Sequence, residues 1–279
     1  MKKIVLLLTA ALLSTGVFAQ VKTPQPSPTS KIEQVVGLTD VTVSYSRPSM
    51  RERTVFGSLV PFGKLWRTGA NENTKITFSD DVKINGSDLK KGTYAIFTKP
   101  SKENWEVIFY SDANNWGTPQ KWDDAKVALK TTAKVGTLPM KVETFTIMFS
   151  DFKMDSAKLN FIWESTEAML DIEVPSKTIA EESIQKTLAG PTANDYYQAA
   201  VFYKETGKMD MAKEYIDKAV TMRKEPAFWY HRQQSLIYAE TGNKEKAIEA
   251  AKKSLELAEK AGNADYVKMN KDSLKEWGS

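Results

Sequence analysis

The apolar residues of this 279-residue chain change their spacing once, near Pro175, and no other feature limits the fold as strongly. Before that point they alternate, as in Val41, Val43 and Tyr45; after it they recur at every third and fourth position. A period of two buries one face of an extended strand, whereas a period near 3.6 buries one stripe of a helix. The chain therefore reads as α+β by domains, with a β domain over residues 31–175 and an all-α domain over residues 176–279.

In the first segment, strand patterns cover residues 41–45, 74–78, 82–84, 93–98, 105–110, 127–135, 145–149, 159–163 and 169–174. Asn85-Gly86 lies between two runs and supplies the dipeptide that most favours a tight hairpin. Short strands separated by Gly, Pro, Asn and Asp, with no helix-length pattern between them, predict an antiparallel β-sandwich or barrel.

In the second segment, Tyr196, Ala199, Ala200, Tyr203, Gly207, Ala212, Ile216 and Ala219 have the spacing of a tetratricopeptide unit, where small residues let two helices approach closely. Tyr203, Thr206-Gly207 and Ala212 recur 35 residues on as Tyr238, Thr241-Gly242 and Ala247, against a repeat of about 34. The second copy departs from the first, with His231 at an aromatic position and Gln234 and Ser235 in place of alanines. A last helix over residues 264–277 would cap the array. The prediction is a tetratricopeptide-like array of helical hairpins, whose grooves commonly take a protein partner.

At the amino terminus, Met1-Lys2-Lys3, the apolar run Ile4–Leu13 and Val17-Phe18-Ala19 follow the order of a secretory signal peptide over residues 1–19, cleaved after Ala19. The run is shorter than the roughly 20 residues that span a bilayer, so no membrane anchor is expected and the destination is the periplasm. Residues 20–30 carry alternating prolines and read as a solvated linker. The formal net charge of +4 includes Lys2 and Lys3, and no basic block suits nucleic acid. With no cysteine there is neither a disulfide framework nor a thiolate.

Residues 47–74, RPSMRERTVFGSLVPFGKLWRTGANENT, follow neither period. Arg47, Arg51, Arg53 and Arg67 outnumber Glu52 and Glu72, and surplus guanidinium suits an anionic or hydroxyl-rich ligand gripped by forked hydrogen bonds. The competing reading pairs each arginine with a distant carboxylate such as Asp80, Asp81, Asp123 or Asp124. Trp66 is either core or a stacking surface. Gly69-Ala70 admits close backbone approach, with Asn71, Glu72 and Asn73 beside it, or is simply a turn. Trp116 and Trp122, in NNWGTPQKWDD, either stack carbohydrate or plug the end of the domain. Asp123 and Asp124 alone are too few oxygens for calcium.

Catalytic signatures are sparse. His231 is the single histidine, so no two-histidine metal site can form, and GxSxG, P-loop, GxGxxG and HExxH patterns are missing. No cofactor or metal is expected. A carboxylate-based hydrolase using Glu72 is the enzymatic alternative.

Ser46-Arg47-Pro48, Arg53, Phe56-Gly57, Pro61, Gly63–Glu72 and Thr74, followed by Leu89, Gly92-Thr93-Tyr94, Phe97, Trp105, Trp116-Gly117 and Trp163-Glu164, resemble the domain of unknown function 2911 family of exported bacterial proteins. The likeness covers roughly residues 30 to 175. It implies a β domain without an assigned reaction and a ligand site at Arg47, Arg53, Trp66, Arg67, Asn71 and Glu72, to which the second aromatic loop adds Trp116. Glu52 stands where the family pattern has glycine, and Trp122 where it has tyrosine. The functional expectation is an exported, non-enzymatic protein whose β domain binds a small anionic or glycan-like ligand and whose helices contact a protein. The alternatives are an envelope glycan or ester hydrolase and a purely structural scaffold.

Overall fold

A computed structural model describes residues 23–188 and 190–278, so the signal-peptide reading of residues 1–19 lies outside the described residues. The chain divides into two compact units at Val174/Pro175.

The first unit is a single nine-stranded antiparallel sheet with strands β1 (Thr29–Val36), β2 (Thr39–Ser46), β3 (Thr74–Phe78), β4 (Val82–Ile84), β5 (Ser87–Leu89), β6 (Gly92–Lys99), β7 (Asn104–Tyr110), β8 (Val127–Ser150) and β9 (Ser156–Glu173). Their order is β1-β2-β3-β6-β7-β8-β9-β4-β5. The sheet does not close into a barrel, and among the described residues no second sheet forms. The long strands explain the difference from the expected set of short ones. β8 pairs first with β7, through residues 127–134, and then with β9, and its register with β9 slips between Thr137 and Val142 and again between Val142 and Thr146. Such irregularities bend a strand without ending it, and Pro139, which cannot donate to a ladder, falls within the first slip.

Alternation places Val41, Val43 and Tyr45 of β2, Ile76 and Phe78 of β3, Trp105, Val107 and Phe109 of β7 and Phe145, Ile147 and Phe149 of β8 in one core. The bend brings the later half of β8 onto β2. Ile147 N donates to the Tyr45 hydroxyl at 2.9 Å, and the Tyr45 and Phe145 rings meet edge to face at 5.8 Å. The reverse face of β6 and β7 carries a smaller cluster of Ala95, Phe97, Ile108 and Tyr110. Trp122 covers it, 5.5 Å from Phe97 and 4.6 Å from Tyr110 between ring centroids.

The stretch read as a linker is partly structured. β1 begins at Thr29, and the carbonyls of Pro26, Ser27 and Pro28 accept from Arg51 Nη2, Asn71 Nδ2 and Arg47 N.

The second unit has α1 (Ser176–Thr187), the hairpins α2 (Ala193–Glu205)/α3 (Met209–Met222) and α4 (Phe228–Glu240)/α5 (Lys244–Lys260), and α6 (Ala264–Glu276). Buried Ala199, Ala200, Ala212 and Ala219 in the first hairpin, and Ala247, Ala250, Ala251 and Ala258 on α5, permit close helix packing. Each hairpin turns at a Thr-Gly pair. Gly207 and Gly242 take φ of +75° and +79°, and the amides of Lys208 and Asn243 reach back to the carbonyls of Tyr203 and Tyr238. This is the left-handed helix termination that glycine makes at no steric cost. Thr192 and Asp195 form a reciprocal capping pair at the start of α2. No helix among the described residues is long and apolar enough to cross a membrane.

Candidate functional site

Residues 47–73 link neighbouring strands β2 and β3 by a long excursion, a length at which loops are usually functional. Backbone hydrogen bonds pin the excursion along its length. Phe145 N donates to Pro48 O at 2.9 Å and Met50 N to Glu143 O at 2.8 Å; Trp66 exchanges both backbone hydrogen bonds with Thr98. Val55 N donates to Glu164 Oε2 at 3.1 Å, and Val55 itself is fully buried in the main core.

Trp66 is the hub beneath the loop. Its ring stacks on Trp163 at 5.9 Å and meets Phe145, Phe56 and Trp105 edge to face, while Nε1 donates to Gly69 O at 3.1 Å. It remains partly exposed, so it serves the core with one side and borders a cleft with the other.

That cleft measures about 490 Å³. Arg51, Arg53, Arg67, Trp66, Asn71 and Trp116 line it, together with Pro26, Ser27, Leu59 and Trp163. Arg67 Nη1 donates to Asn71 O at 2.9 Å; Arg53 holds the carbonyls of Met50 and Ser49, both at 2.8 Å. Asn71 fixes the rim through Nδ2, which donates to Ser27 O at 3.2 Å and Ser46 Oγ at 3.3 Å. Among the described residues none of Arg47, Arg51, Arg53 and Arg67 forms an ion pair with a carboxylate. The distant aspartates have other partners: Asp81 pairs with Lys90, Asp123 caps a short 3-10 turn, and Asp124 accepts from Trp122 Nε1. The Lys90 ammonium, with the Lys91 amide, holds the Asp81 carboxyl below its ordinary range.

Of the seven residues read from the sequence as a ligand site, the fold brings Arg53, Trp66, Arg67, Asn71 and Trp116 to this cleft. It does not bring Arg47 or Glu72 there. Arg47 donates to Phe145 O at 3.1 Å and Thr146 Oγ1 at 2.7 Å, fastening the end of β2 to β8. Glu72 points to a smaller neighbouring compartment, with its carboxylate 3.4 Å from Lys75 Nζ. Arg51 is legible only as part of the arginine surplus, and Trp163 only as part of the family pattern; Pro26 and Ser27 carry no local signal of a site. The second aromatic loop divides its roles, since Trp116 is 74% exposed at the cleft while Trp122 packs against Phe97 and Tyr110.

Backbone conformation marks the same place. Arg51, Glu52, Thr68, Asn71 and Glu164 adopt φ of +48°, +62°, +57°, +57° and +56°, and each lines the cleft or is the chain neighbour of a residue that does. Left-handed conformations are rare outside glycine, most of all for a β-branched residue such as Thr68, and such strain concentrates at functional sites. Glu52, where the resemblance implies glycine, holds φ +62°, a conformation that glycine adopts without strain. Among the described residues no cluster of three or more His, Cys, Asp or Glu could hold a metal ion.

An open antiparallel β module with an arginine-lined cleft, followed by paired helices with glycine-terminated turns, defines a two-unit chain of β and tetratricopeptide type. The chain belongs to the family described as protein of unknown function (DUF2911), whose model matches residues 27–172. Residues 196–226 and 233–260 match the tetratricopeptide repeat. No curated protein matches the chain.

Proposed function

We propose that the β unit binds a small anionic ligand through Arg51, Arg53 and Arg67, and that the helical repeats dock a protein partner. One observation carries the ligand reading: three guanidinium groups border a cleft of about 490 Å³ whose lining residues include no carboxylate. The size falls within the roughly 300–1,000 Å³ of small-molecule sites. Guanidinium carries five N–H donors in a planar fork matched to carboxylate or phosphate. Among the described residues Arg67 uses one of its five on Asn71 O, which leaves the others open to a ligand. An anion about 4 Å from one guanidinium gains on the order of 4 kcal/mol at the effective dielectric of a protein surface, before desolvation. The tetratricopeptide match supports the protein-docking part. The basic, apolar and small-residue order of residues 1–19 supports export to the periplasm.

The hydrolase reading draws less support. The Glu72 side chain is 61% exposed, pairs with Lys75 and has no second carboxylate among the residues lining its compartment.

The test is thermal unfolding of the mature protein with phosphate, sugar acids and neutral sugars, in parallel with Arg67→Ala. Saturation at about one hundred times the dissociation constant adds roughly 2.7 kcal/mol of stability. Anions are expected to raise the melting temperature of the wild type, and a folded Arg67→Ala variant is expected to lose the shift. A wild type indifferent to every anion overturns the proposal.

A further inference from the structure

Beside the arginine cleft lies a second compartment of about 220 Å³, and the two share Asn71 and Trp116. It is too small to stand alone as a small-molecule site, but it adjoins one of sufficient size. Its chemistry is different. Thr29, Ser44 and Ser46 contribute hydroxyls, and its single cation and single carboxylate, Lys75 and Glu72, pair with each other at 3.4 Å. Asn73 is 2% exposed, yet among the described residues neither its Nδ2 nor its Oδ1 has a hydrogen-bond partner. Buried amides are nearly always satisfied. As placed, both atoms are closed to solvent; a turn of the Asn73 side chain toward the compartment would present them to a hydroxyl group, which gives and takes a hydrogen bond at once.

From these observations we propose that the ligand is an acidic oligosaccharide of at least two rings. The acidic ring lies in the arginine cleft, and a neutral, hydroxyl-bearing ring lies in the compartment walled by Asn73 and Ser44. This rests on the anion-binding reading of the larger cleft and extends it. Trp116 joins the two halves: its indole lines both spaces and is 74% exposed, which offers an apolar face to the C–H side of a sugar ring. The arginines match the carboxylate of the acidic ring. The self-paired Lys75 and Glu72 leave the second compartment with no surplus charge, which favours a neutral ring over a second acidic one.

The experiment is calorimetric titration of the mature protein with four probes: inorganic phosphate, glucuronic acid, glucuronic acid β-linked to glucose, and cellobiose. Wild type is expected to bind the acidic disaccharide at least tenfold more tightly than glucuronic acid, and cellobiose more weakly than either. Asn73→Ala is expected to reduce the disaccharide to the affinity of glucuronic acid while leaving glucuronic acid itself unchanged. Ser44→Gln, at a partly exposed position of β2 outside the core, should do the same by filling the compartment, and it decides the matter if Asn73→Ala fails to fold. Arg67→Ala should weaken both acidic probes together. Equal affinity of wild type for the acidic monosaccharide and disaccharide would overturn the two-ring ligand while leaving the anion cleft standing. Binding of phosphate without glucuronic acid would overturn the sugar assignment alone, and binding of no anion would overturn both readings. Disaccharide preference that survives in folded Asn73→Ala and in Ser44→Gln would show that the second ring sits elsewhere.

Discussion

Arg67 lies against Gly117: a β-carbon added at Gly117 would stand 2.9 Å from Arg67 Nη1 and 3.3 Å from its Cζ. The glycine, at φ +83°, lets the second aromatic loop close over the guanidinium while Nη1 still reaches Asn71 O. Gly117→Ala should therefore displace Arg67. Loss of the anion-induced rise in melting temperature is expected, together with about 1–2 kcal/mol of destabilisation from the left-handed backbone. Unchanged anion response in this variant would mean that the position of Arg67 is not what binds.

Arg47 and Arg67 should separate cleanly. Arg47 ties β2 to β8 through Phe145 O and Thr146 Oγ1 and does not line the cleft. Arg47→Met is expected to cost about 1.5–3 kcal/mol, the range for hydrogen bonds from a charged group, and to retain the anion response. Denaturant unfolding beside ligand titration checks both halves of this prediction.

Glu52 is exposed and holds φ at +62°. Glu52→Gly relieves a conformation that costs an L-residue roughly 1–2 kcal/mol, offset by about 0.5–1 kcal/mol of added chain entropy in the unfolded state. A small gain, up to about 1.5 kcal/mol, should appear in the unfolding midpoint; a loss would show that Glu52 makes a compensating interaction.

Trp163 stacks on Trp66, packs near Phe145 and Phe56, and is 1% exposed. Trp163→Ala removes the floor of the hub beneath the cleft, at a cost of about 3–5 kcal/mol. Equilibrium unfolding should register this as one of the largest single losses in the β unit.

Burial of His231 on α4 pushes its imidazole below the ordinary 6.5; a hydrogen bond with Gln234 opposes the shift and Lys253 adds to it. The unfolded chain then binds a proton that the folded chain refuses, so stability rises with pH across the window between the folded value and about 6.5 and is lost as pH falls through it. Helix-monitored melting between about pH 5 and pH 8 should show this slope in wild type and a flatter one in His231→Gln.

The parts of the fold visible beforehand were those set by local pattern. Thr74–Phe78 and Val82–Ile84 are strands at the predicted positions, and the Thr-Gly turns recur at the spacing read from the sequence. The continuity of β8 and β9 was not visible, because Pro139 and the register slips interrupt alternation while pairing with neighbours carries the strands through. The site was legible to the extent that its residues lie in one unusual segment. Arg47 and Glu72 were drawn in with it, since side-chain type and proximity in sequence do not tell which way a loop residue points. Pro26 and Ser27 have no such mark, and Trp163 is marked only as part of the family pattern, because only tertiary contact brings them to the cleft.

The sequence by itself determined the boundary near Pro175, the antiparallel β and paired-helix character of the two units, and the surplus of arginine in residues 47–73. Each is written in local periodicity or composition, which a chain carries before it folds. Only the tertiary structure decided that one sheet forms, that Arg47 is a fastening while Arg51, Arg53 and Arg67 border a cleft, and that among the described residues the buried side-chain amide of Asn73 has no hydrogen-bond partner. Those outcomes depend on which carbonyls and rings long-range packing brings within reach. A guanidinium bonds whatever acceptor lies about 3 Å away, however distant in sequence.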